Sequence, residues 1–194
     1  MLKTAFLIFV VLAVAIGGGG GSVWYALKAN EGVGAVTIGQ WTAYPYIGTP
    51  DADPYSKARS ASEGLLSLGR AEGISFSAQR DSDGEALRRE CTYMVEGPVP
   101  SARFWTLYAA DQAGGVVRGG ERRAGALHSH QLIRLADNSV SISAGKHASP
   151  GNWLAISGVG PMTLVLTFFD TPIASSTGAA DVVLPSIIKA GCDA

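Results

Sequence analysis

The sequence predicts a mainly β protein, either a β-sandwich or a barrel, preceded by an N-terminal transmembrane helix. Three observations support this fold class. Beyond residue 73, apolar and polar residues alternate in short runs, each bounded by Gly, Pro, Asn or Asp. Glycine accounts for 25 of the 194 residues, and charged residues for only 16% of them. The chain begins with a long apolar stretch that contains no charged residue between Lys3 and Lys28.

The N-terminal segment is long enough to cross a bilayer. The uncharged run from Thr4 to Leu27 has 24 residues, which form a helix of about 36 Å against a hydrocarbon core of ~30 Å. Gly17–Gly21 are poor helix formers in water, but in lipid an unpaired backbone is more costly than a helical glycine. Trp24 and Tyr25 fall where an interfacial aromatic belt is expected. We therefore predict a retained signal anchor over residues 1–28.

Two alternatives to the anchor remain open. Thr4–Ile16 has the length of the apolar region of a cleaved signal peptide, and Ala15 and Gly17 are small residues suited to a cleavage point. A helix buried in a protein core is the second alternative. The anchor and the cleaved signal share one consequence, which is that residues 29–194 are exported as a separate domain. Lys3 and the amino terminus favour a cytoplasmic N-terminus.

One helix, a short helical turn and seven or eight strands are predicted in this domain. Asp53 is typical of a helix N-cap, Pro54 of a first helical turn and Gly64 of a helix end, which gives a helix of about ten residues. Near the C-terminus, "LPSIIKAGC" predicts a short helical turn. Met162–Phe169 is apolar enough for a central strand that is buried on both faces. The runs predicted as strands are "ISFSAQR", "CTYMVEG", "RFWTLYAA", "HQLIRLA", "NSVSISA", "NWLAIS" and "MTLVLTFFD".

The chain contains two cysteines, Cys91 and Cys192. An even number of cysteines in a chain with an export segment favours a disulfide. Such a bond would tie the C-terminal residues to a mid-chain strand. Closing a loop of about 100 residues stabilises a fold by up to ~4.7 kcal/mol on the chain-entropy account. The alternatives are two separate buried thiols, or a nucleophilic cysteine with a histidine partner.

Six motifs occur in the order found in a bacterial family. They extend from about Trp41 to Cys192 and read "GTPDADPYSKA", "AEGISFSAQRDSDG", "CTYMVEG", "ARFWTLYA", "PGNWLAI" and "LVLTFFDTP". In this order they resemble the family called domain of unknown function 1214. The resemblance implies a jelly-roll-like antiparallel β-sandwich with one or two short helices, in an exported, membrane-anchored form with one domain. It further implies a single-pass protein of the bacterial inner membrane whose C-terminal domain is periplasmic. The family has no established activity, so the resemblance leaves the function open.

The candidates for a ligand site are Arg103, Trp105, Asn152 and Trp153. Aromatic rings beside a guanidinium and an amide suit a groove that holds a glycan or an apolar ligand, through stacking and a few directed hydrogen bonds. In the alternative interpretation, both tryptophans anchor the sandwich core. Arg103 would then pair with a carboxylate such as Asp53 or Asp170.

His128 and His130 are the candidates for a metal site, because residues i and i+2 of a strand point to the same face. Jelly-roll proteins of the cupin family hold a metal with such a pair. Two features differ from that family. Arg134 stands where the cupin motif has Glu, and the candidate for a further ligand, His147, lies in a loop that contains Gly and Pro. The alternative interpretation is a polar surface strand.

Composition and motifs favour a binding module over an enzyme. The net charge is −1, and no basic face of the kind used by nucleic-acid-binding proteins is present. The sequence contains neither a G-x-S-x-G nucleophile motif nor a phosphate-binding loop. No cofactor is predicted. We expect a membrane-anchored envelope protein that binds a glycan, an apolar ligand or another envelope protein. A metal-dependent jelly-roll enzyme using His128 and His130 is the alternative.

Overall fold

The computed structural model describes residues 2–29, 34–50, 52–63, 68–69, 71–120, 124–174 and 182–192. A 3-10 turn, Pro172–Ala174, follows the ninth strand. The helices are α1 (Leu2–Ala29) and α2 (Pro54–Glu63). The strands are β1 (Val36–Ile38), β2 (Trp41–Ala43), β3 (Gly73–Ala78), β4 (Cys91–Gly97), β5 (Phe104–Ala110), β6 (Ala126–His128), β7 (Val140–Gly145), β8 (Asn152–Ala155), β9 (Thr163–Phe169) and β10 (Ser186–Cys192).

The strands form two sheets, which confirms the predicted mainly β fold with few helices and an N-terminal apolar helix. The six-stranded sheet has the order β1-β2-β3-β9-β5-β6, and the four-stranded sheet has the order β10-β4-β7-β8. The pairs are antiparallel except β7 with β8, which run parallel. This pair differs from the expected all-antiparallel arrangement, because residues 146–151 carry the chain back to the start of β7 before β8 begins.

Alternation of apolar and polar residues builds the core between the sheets. In β3, Ile74, Phe76 and Ala78 are buried, and in β4 so are Tyr93 and Val95. β9 lies between β3 and β5, as its apolar sequence predicts; of its outward side chains Thr167 is buried, whereas Val165 and Phe169 are only partly covered. The largest fully buried side chains of the described chain are those of Trp41, Trp105, Tyr93, Phe76 and Phe168.

A hydrogen-bonded clasp joins the two sheets beside β1 and β10. The carbonyl oxygen of Pro185 accepts a hydrogen bond from Trp41 Nε1 at 2.7 Å and another from Gln40 Nε2 at 2.9 Å. Trp41 is fully buried, and this bond satisfies its indole N–H inside the protein. The clasp therefore fixes the chain that leads into β10 against the first hairpin of the six-stranded sheet.

Two predicted elements are wrong, and the three short strands β1, β2 and β6 were missed. The C-terminal stretch is not a helical turn but strand β10, because Ile187 is fully buried and pairs with Val95 of β4. The run "HQLIRLA" is not a strand of its own, because Asn152 takes the backbone hydrogen bonds of Ile133. The short strands β1 and β2 were hidden in a Gly-rich segment.

The predicted start of α2 is confirmed, since Asp53 Oδ1 accepts the N–H of Ser56 at 3.0 Å. The predicted helix end, Gly64, lies outside the described residues.

One end of the six-stranded sheet is defined by α2, and we call it the α2 end. β1 runs away from this end, since Val36 pairs with Ala43 of β2, which is level with Phe76 in the middle of β3. β3 begins at the α2 end, opposite Phe169 at the end of β9. Gly73 permits this close approach, since a Cβ on it would lie 2.0 Å from the carbonyl oxygen of Phe168. We call the opposite end, where β3 ends and β9 begins, the distal end.

The N-terminal helix α1 is continuous through its five glycines. Leu2–Tyr25 has a mean hydropathy of 2.2, and no other part of the described chain buries it. Trp24 and Tyr25 are both largely exposed. α1 contacts α2, which places the start of the β domain close to the C-terminal end of this apolar helix.

Cys91 and Cys192 form a disulfide, as predicted. The two residues face each other in the pairing of β4 with β10. Cys91 is buried and Cys192 is exposed. The bond closes a sequence separation of 101 residues, so it holds the last strand of the four-stranded sheet in place.

We expect the double variant Cys91→Ser/Cys192→Ser to lose about 2–4 kcal/mol of unfolding free energy, because the unfolded chain regains the entropy of a long loop. Urea denaturation of the full-length protein in detergent, followed by tryptophan fluorescence, measures this loss. Adding a thiol reductant to the unmodified protein should reproduce it. An unchanged denaturation midpoint under both conditions would show that the bond contributes nothing to stability.

Candidate functional site

The structure does not bring the four predicted ligand residues together on one surface. Trp105 points inward from β5 and is 1% exposed. Asn152 and Trp153 lie on β8, which belongs to the other sheet. Arg103 precedes β5, and its side chain is 83% exposed. Each residue therefore has its own local environment.

Trp105 is held by its surroundings in the core. Its backbone N–H donates to Ser129 Oγ at 3.3 Å, and its carbonyl oxygen accepts the N–H of Ser129 at 2.9 Å. Its indole Nε1 is buried and has no hydrogen-bond partner among the described residues. A side chain so enclosed contributes to packing and cannot touch a ligand without rearrangement of the core.

Asn152 connects a loop to the four-stranded sheet. Its Oδ1 accepts the N–H of Ile133 at 2.7 Å, and its Nδ2 donates to the carbonyl oxygens of Ile133 at 2.7 Å and Ser141 at 3.0 Å. The amide thereby imitates the hydrogen bonds of a neighbouring strand. Pro150-Gly151 forms the turn before it, with Gly151 at φ +82°. The polar atoms of Asn152 are thus engaged within the protein.

A small hollow lies on the outer face of the four-stranded sheet. Its volume of about 160 Å³ is below the ~300–1,000 Å³ typical of small-molecule sites. Trp153 lies beside it, in register with Ser143, and its Nε1 donates to the carbonyl oxygen of Gly145 at 3.0 Å. The residues lining the hollow are Met94, Ile133, Leu135, Ser141, Ser143, Pro150, Gly151 and Asn152.

A cluster of aromatic rings and imidazoles lies on the outer face of the six-stranded sheet, at the α2 end. We call it the aromatic platform; its members are Phe104, Phe169, His128 and His130. The ring centroid of Phe104 lies 5.8 Å from that of Phe169, 5.6 Å from His128 and 5.5 Å from His130. Phe104 and Phe169 are partly exposed, and His130 is exposed. The platform therefore presents ring surface to solvent.

The pairing of β5 with β9 places this platform. Phe104 is opposite Phe169, while their sequence neighbours Trp105 and Phe168 form the next pair and point into the core. His128 of β6 pairs with Thr106 and so lies on the same outward face as Phe104. On this face burial raises the pKa of Tyr108, so its phenol stays a neutral hydroxyl.

Arg103 and Asp170 form an exposed charge pair beside the platform. Arg103 Nη1 lies 3.7 Å from Asp170 Oδ2, and the two side chains are 83% and 72% exposed. The backbone N–H of Arg103 donates to the carbonyl oxygen of Asp170 at 3.2 Å. An ion pair this exposed contributes little to stability. Its donors and acceptor oxygens are therefore accessible to solvent.

The two histidines predicted as metal ligands lie near each other in the platform. Their ring centroids are 6.5 Å apart and their planes are nearly perpendicular. His128 Nδ1 is buried without a hydrogen-bond partner in the described part of the chain. His147 follows β7, at the distal end, away from this pair. Among the residues that the structure describes, no group of three or more His, Cys, Asp and Glu gathers at one point, so the metal site stays a prediction.

Sequence patterns missed Phe104 and Phe169 as members of a site, although Asp170 was named as a possible partner of Arg103, and the two side chains do form a pair. Phe104 stands between the two candidates Arg103 and Trp105. The alternation of side chains was the available signal, because the residue next to a buried Trp in the same strand points outward. Only the register between β5 and β9 brings the two phenylalanines together.

The chain resembles known families and structures over most of its β domain. The family model "Protein of unknown function (DUF1214)" matches residues 72–173. The VPA0106 protein of Vibrio parahaemolyticus is 17% identical, with a TM-score of 0.57; the match covers 72% of this chain and 36% of that one. An uncharacterized protein of Burkholderia cenocepacia is 16% identical, with a TM-score of 0.39, covering 73% of this chain and 44% of that one. No curated protein matches the chain.

We expect Trp105→Ala to lower the unfolding free energy by about 3–5 kcal/mol, because it removes a fully buried aromatic side chain and leaves a cavity. Arg103→Ala is the matched control two residues away, and its effect should stay within about 0.5 kcal/mol. Chemical denaturation of both variants measures the difference. A stable, folded Trp105→Ala variant would contradict the role of Trp105 in the core.

Proposed function

The chain belongs to the DUF1214 family of proteins of unknown function, and from this premise we propose that it is a membrane-tethered binding protein of the bacterial envelope. In this proposal α1 is a retained signal anchor, with its N-terminus in the cytoplasm and the β-sandwich in the periplasm. The sandwich binds its ligand on the aromatic platform. The observation that carries the binding role is the packing of Phe169, His128 and His130 around the partly exposed ring of Phe104.

Two observations support the tether. A helix of 28 residues is about 42 Å long, which exceeds the ~30 Å hydrocarbon core. Its apolar side chains, such as Phe9 at 69% and Val14 at 68%, are exposed along its length, and this arrangement is favourable in lipid rather than in water. The Cys91–Cys192 bond supports an oxidising compartment for the sandwich. Lys3, before the span, supports a cytoplasmic N-terminus.

The tether predicts a defined topology. We expect alkaline phosphatase fused after Ala194 to be active and green fluorescent protein at the same position to be dark, because the fusion point is exported. The protein should stay with the membrane after an alkaline wash. In the control variant Ile8→Asp/Leu12→Asp each charge costs ~2.5–3.5 kcal/mol in the span, and membrane insertion should fail. A shortened, soluble periplasmic protein would instead identify α1 as a cleaved signal.

The platform suits a sugar ring better than a wholly apolar ligand. A pyranose has apolar C–H faces that pack on aromatic rings, and its hydroxyl groups need both donors and acceptors close by. Phe104 and Phe169 offer the rings, the Arg103 guanidinium offers donors, and the Asp170 carboxylate offers acceptors. The hollow of the other sheet has a volume of only about 160 Å³, and its Asn152 amide is already hydrogen-bonded within the protein. We therefore place the ligand site on the platform and the ligand in the class of envelope glycans.

We expect the full-length protein in lipid nanodiscs to bind members of an array of bacterial cell-wall and capsular glycans. Phe104→Ala should weaken binding at least about tenfold, equivalent to ~1.4 kcal/mol, because it removes the central ring. Val116→Ala is the control, since Val116 is a 48% exposed apolar residue at the distal end. Unchanged glycan binding by Phe104→Ala, or an array with no bound glycan, would contradict the proposal.

A metal-dependent enzyme is the second candidate function. It is supported by the unpartnered Nδ1 of His128 and by the nearness of His130, and any further ligands would come from water, substrate or residues outside the described ranges. Zinc binding that is lost in His130→Ala, in a protein that ignores the glycan array, would favour this alternative over the binding role.

A further inference from the structure

We propose that the sandwich stands upright on the bilayer, with its α2 end resting on the lipid surface and the 134–140 hairpin inserted among the headgroups. This inference rests on the proposed membrane tether and adds a second contact with lipid. It identifies an interaction surface whose partner is the membrane itself. Three features of the α2 end support it.

The first feature is the short connection between the span and the sandwich. Gly34 follows Ala29, the last residue of α1, by five positions in the chain. Even a fully extended chain of this length spans only about 18 Å, so the two residues lie within that distance of each other. Gly34 lies against the N-terminus of α2, since a Cβ on it would be 3.0 Å from Asp53 Oδ2 and 3.4 Å from Ser56 Oγ. The edge strand β1 starts two residues later. The tether thus holds this edge of the α2 end within headgroup distance of the membrane.

The second feature is an exposed apolar hairpin at the opposite edge of the same end. β6 ends at His128, near the start of β5, and the chain then runs into a hairpin closed by the bridge between Arg134 and Val140. Leu135 lies on its first arm with 54% of its surface exposed, and Ile133, directly before the hairpin, is 67% exposed. The turn itself is formed by the polar residues Asp137 and Asn138. Exposed apolar side chains beside a rigid polar turn are suited to shallow insertion at a bilayer interface.

The hairpin is rigid for a local reason. Leu135 N–H donates to the carbonyl oxygen of Ser139, and Asn138 at φ 67° forms the tight turn between them. Asp137 Oδ1 accepts both the N–H and the hydroxyl of Ser139. Its base is fastened to Asn152 through the backbone of Ile133. The apolar side chains are therefore presented in a fixed position, and little entropy is lost when they enter the interface.

The third feature is the separation of these two edges. β1 and β6 are the two outer strands of the six-stranded sheet, so the span and the hairpin meet the α2 end on opposite sides of that sheet. With the span at one edge and the hairpin at the other, two separate supports keep the sheet from tilting. Exposed apolar residues also occur at the distal end, Val159 being 78% exposed. The tether faces the α2 end, so these distal residues point away from the bilayer.

Fluorescence quenching in liposomes tests this orientation with the full-length protein. The native cysteines are bonded to each other, so a thiol-reactive fluorophore labels only an introduced cysteine. The label is placed by Leu135→Cys at the hairpin, by Val159→Cys as the equally apolar distal control, and by Val14→Cys inside α1. The liposomes are phosphatidylcholine carrying either a nitroxide on the headgroup or a nitroxide on the acyl chain.

We expect headgroup nitroxide to quench the Leu135→Cys label at least about twofold more than the Val159→Cys label, because the hairpin lies in the interfacial layer. Acyl-chain nitroxide should quench the Val14→Cys label. If the Val14→Cys label is quenched while the other two labels respond equally, the upright orientation is overturned and the tether stands. If the Val14→Cys label is not quenched either, the tether itself fails.

Discussion

The pairing of β5 with β9 is the constraint on which the rest of the molecule depends. Side chains in a strand alternate between faces, so a slip of β5 by one residue against β9 would turn Trp105 outward and Phe104 into the core, while Phe168 and Phe169 kept their places. In the observed register the rings of Trp105 and Phe168 both point into the core. The rings of Phe104 and Phe169 both point outward and form part of the platform. Core and candidate site are thus two faces of one pairing.

The surrounding strands follow from that register. β3 is held on the other side of β9 by six paired residues, and its first residue must be Gly73 because a side chain there would collide with the β9 backbone. β6 joins β5 on the remaining side and carries His128 to the platform. The second sheet closes over the inward face and is fixed by the Trp41–Pro185 clasp and the disulfide. The candidate site therefore lies on the most extensively paired part of the chain.

The sequence was sufficient for features that depend on local pattern. Alternation in β3, β4 and β5, the Asp53 cap of α2 and the apolar length of α1 are each written in consecutive residues. β10 was mistaken for a helical turn because its adjacent isoleucines lack a clear period, and only the partner strand β4 decides its conformation. The candidate site was only partly predictable for the same reason. Arg103 and the histidines stand out as residue types, whereas Phe104 and Phe169 become neighbours through pairing between distant segments.

The position of β10 in the chain has a consequence for biogenesis. Ile187, Pro185 and Cys192 complete the second sheet, its clasp and its disulfide. Their partners lie far back in the chain, since the Trp41–Pro185 bond spans 144 residues and the disulfide spans 101. Contacts this distant in sequence form slowly. The two sheets can therefore lock together only after β10 has been synthesised, so the final packing of the core is a late step in folding.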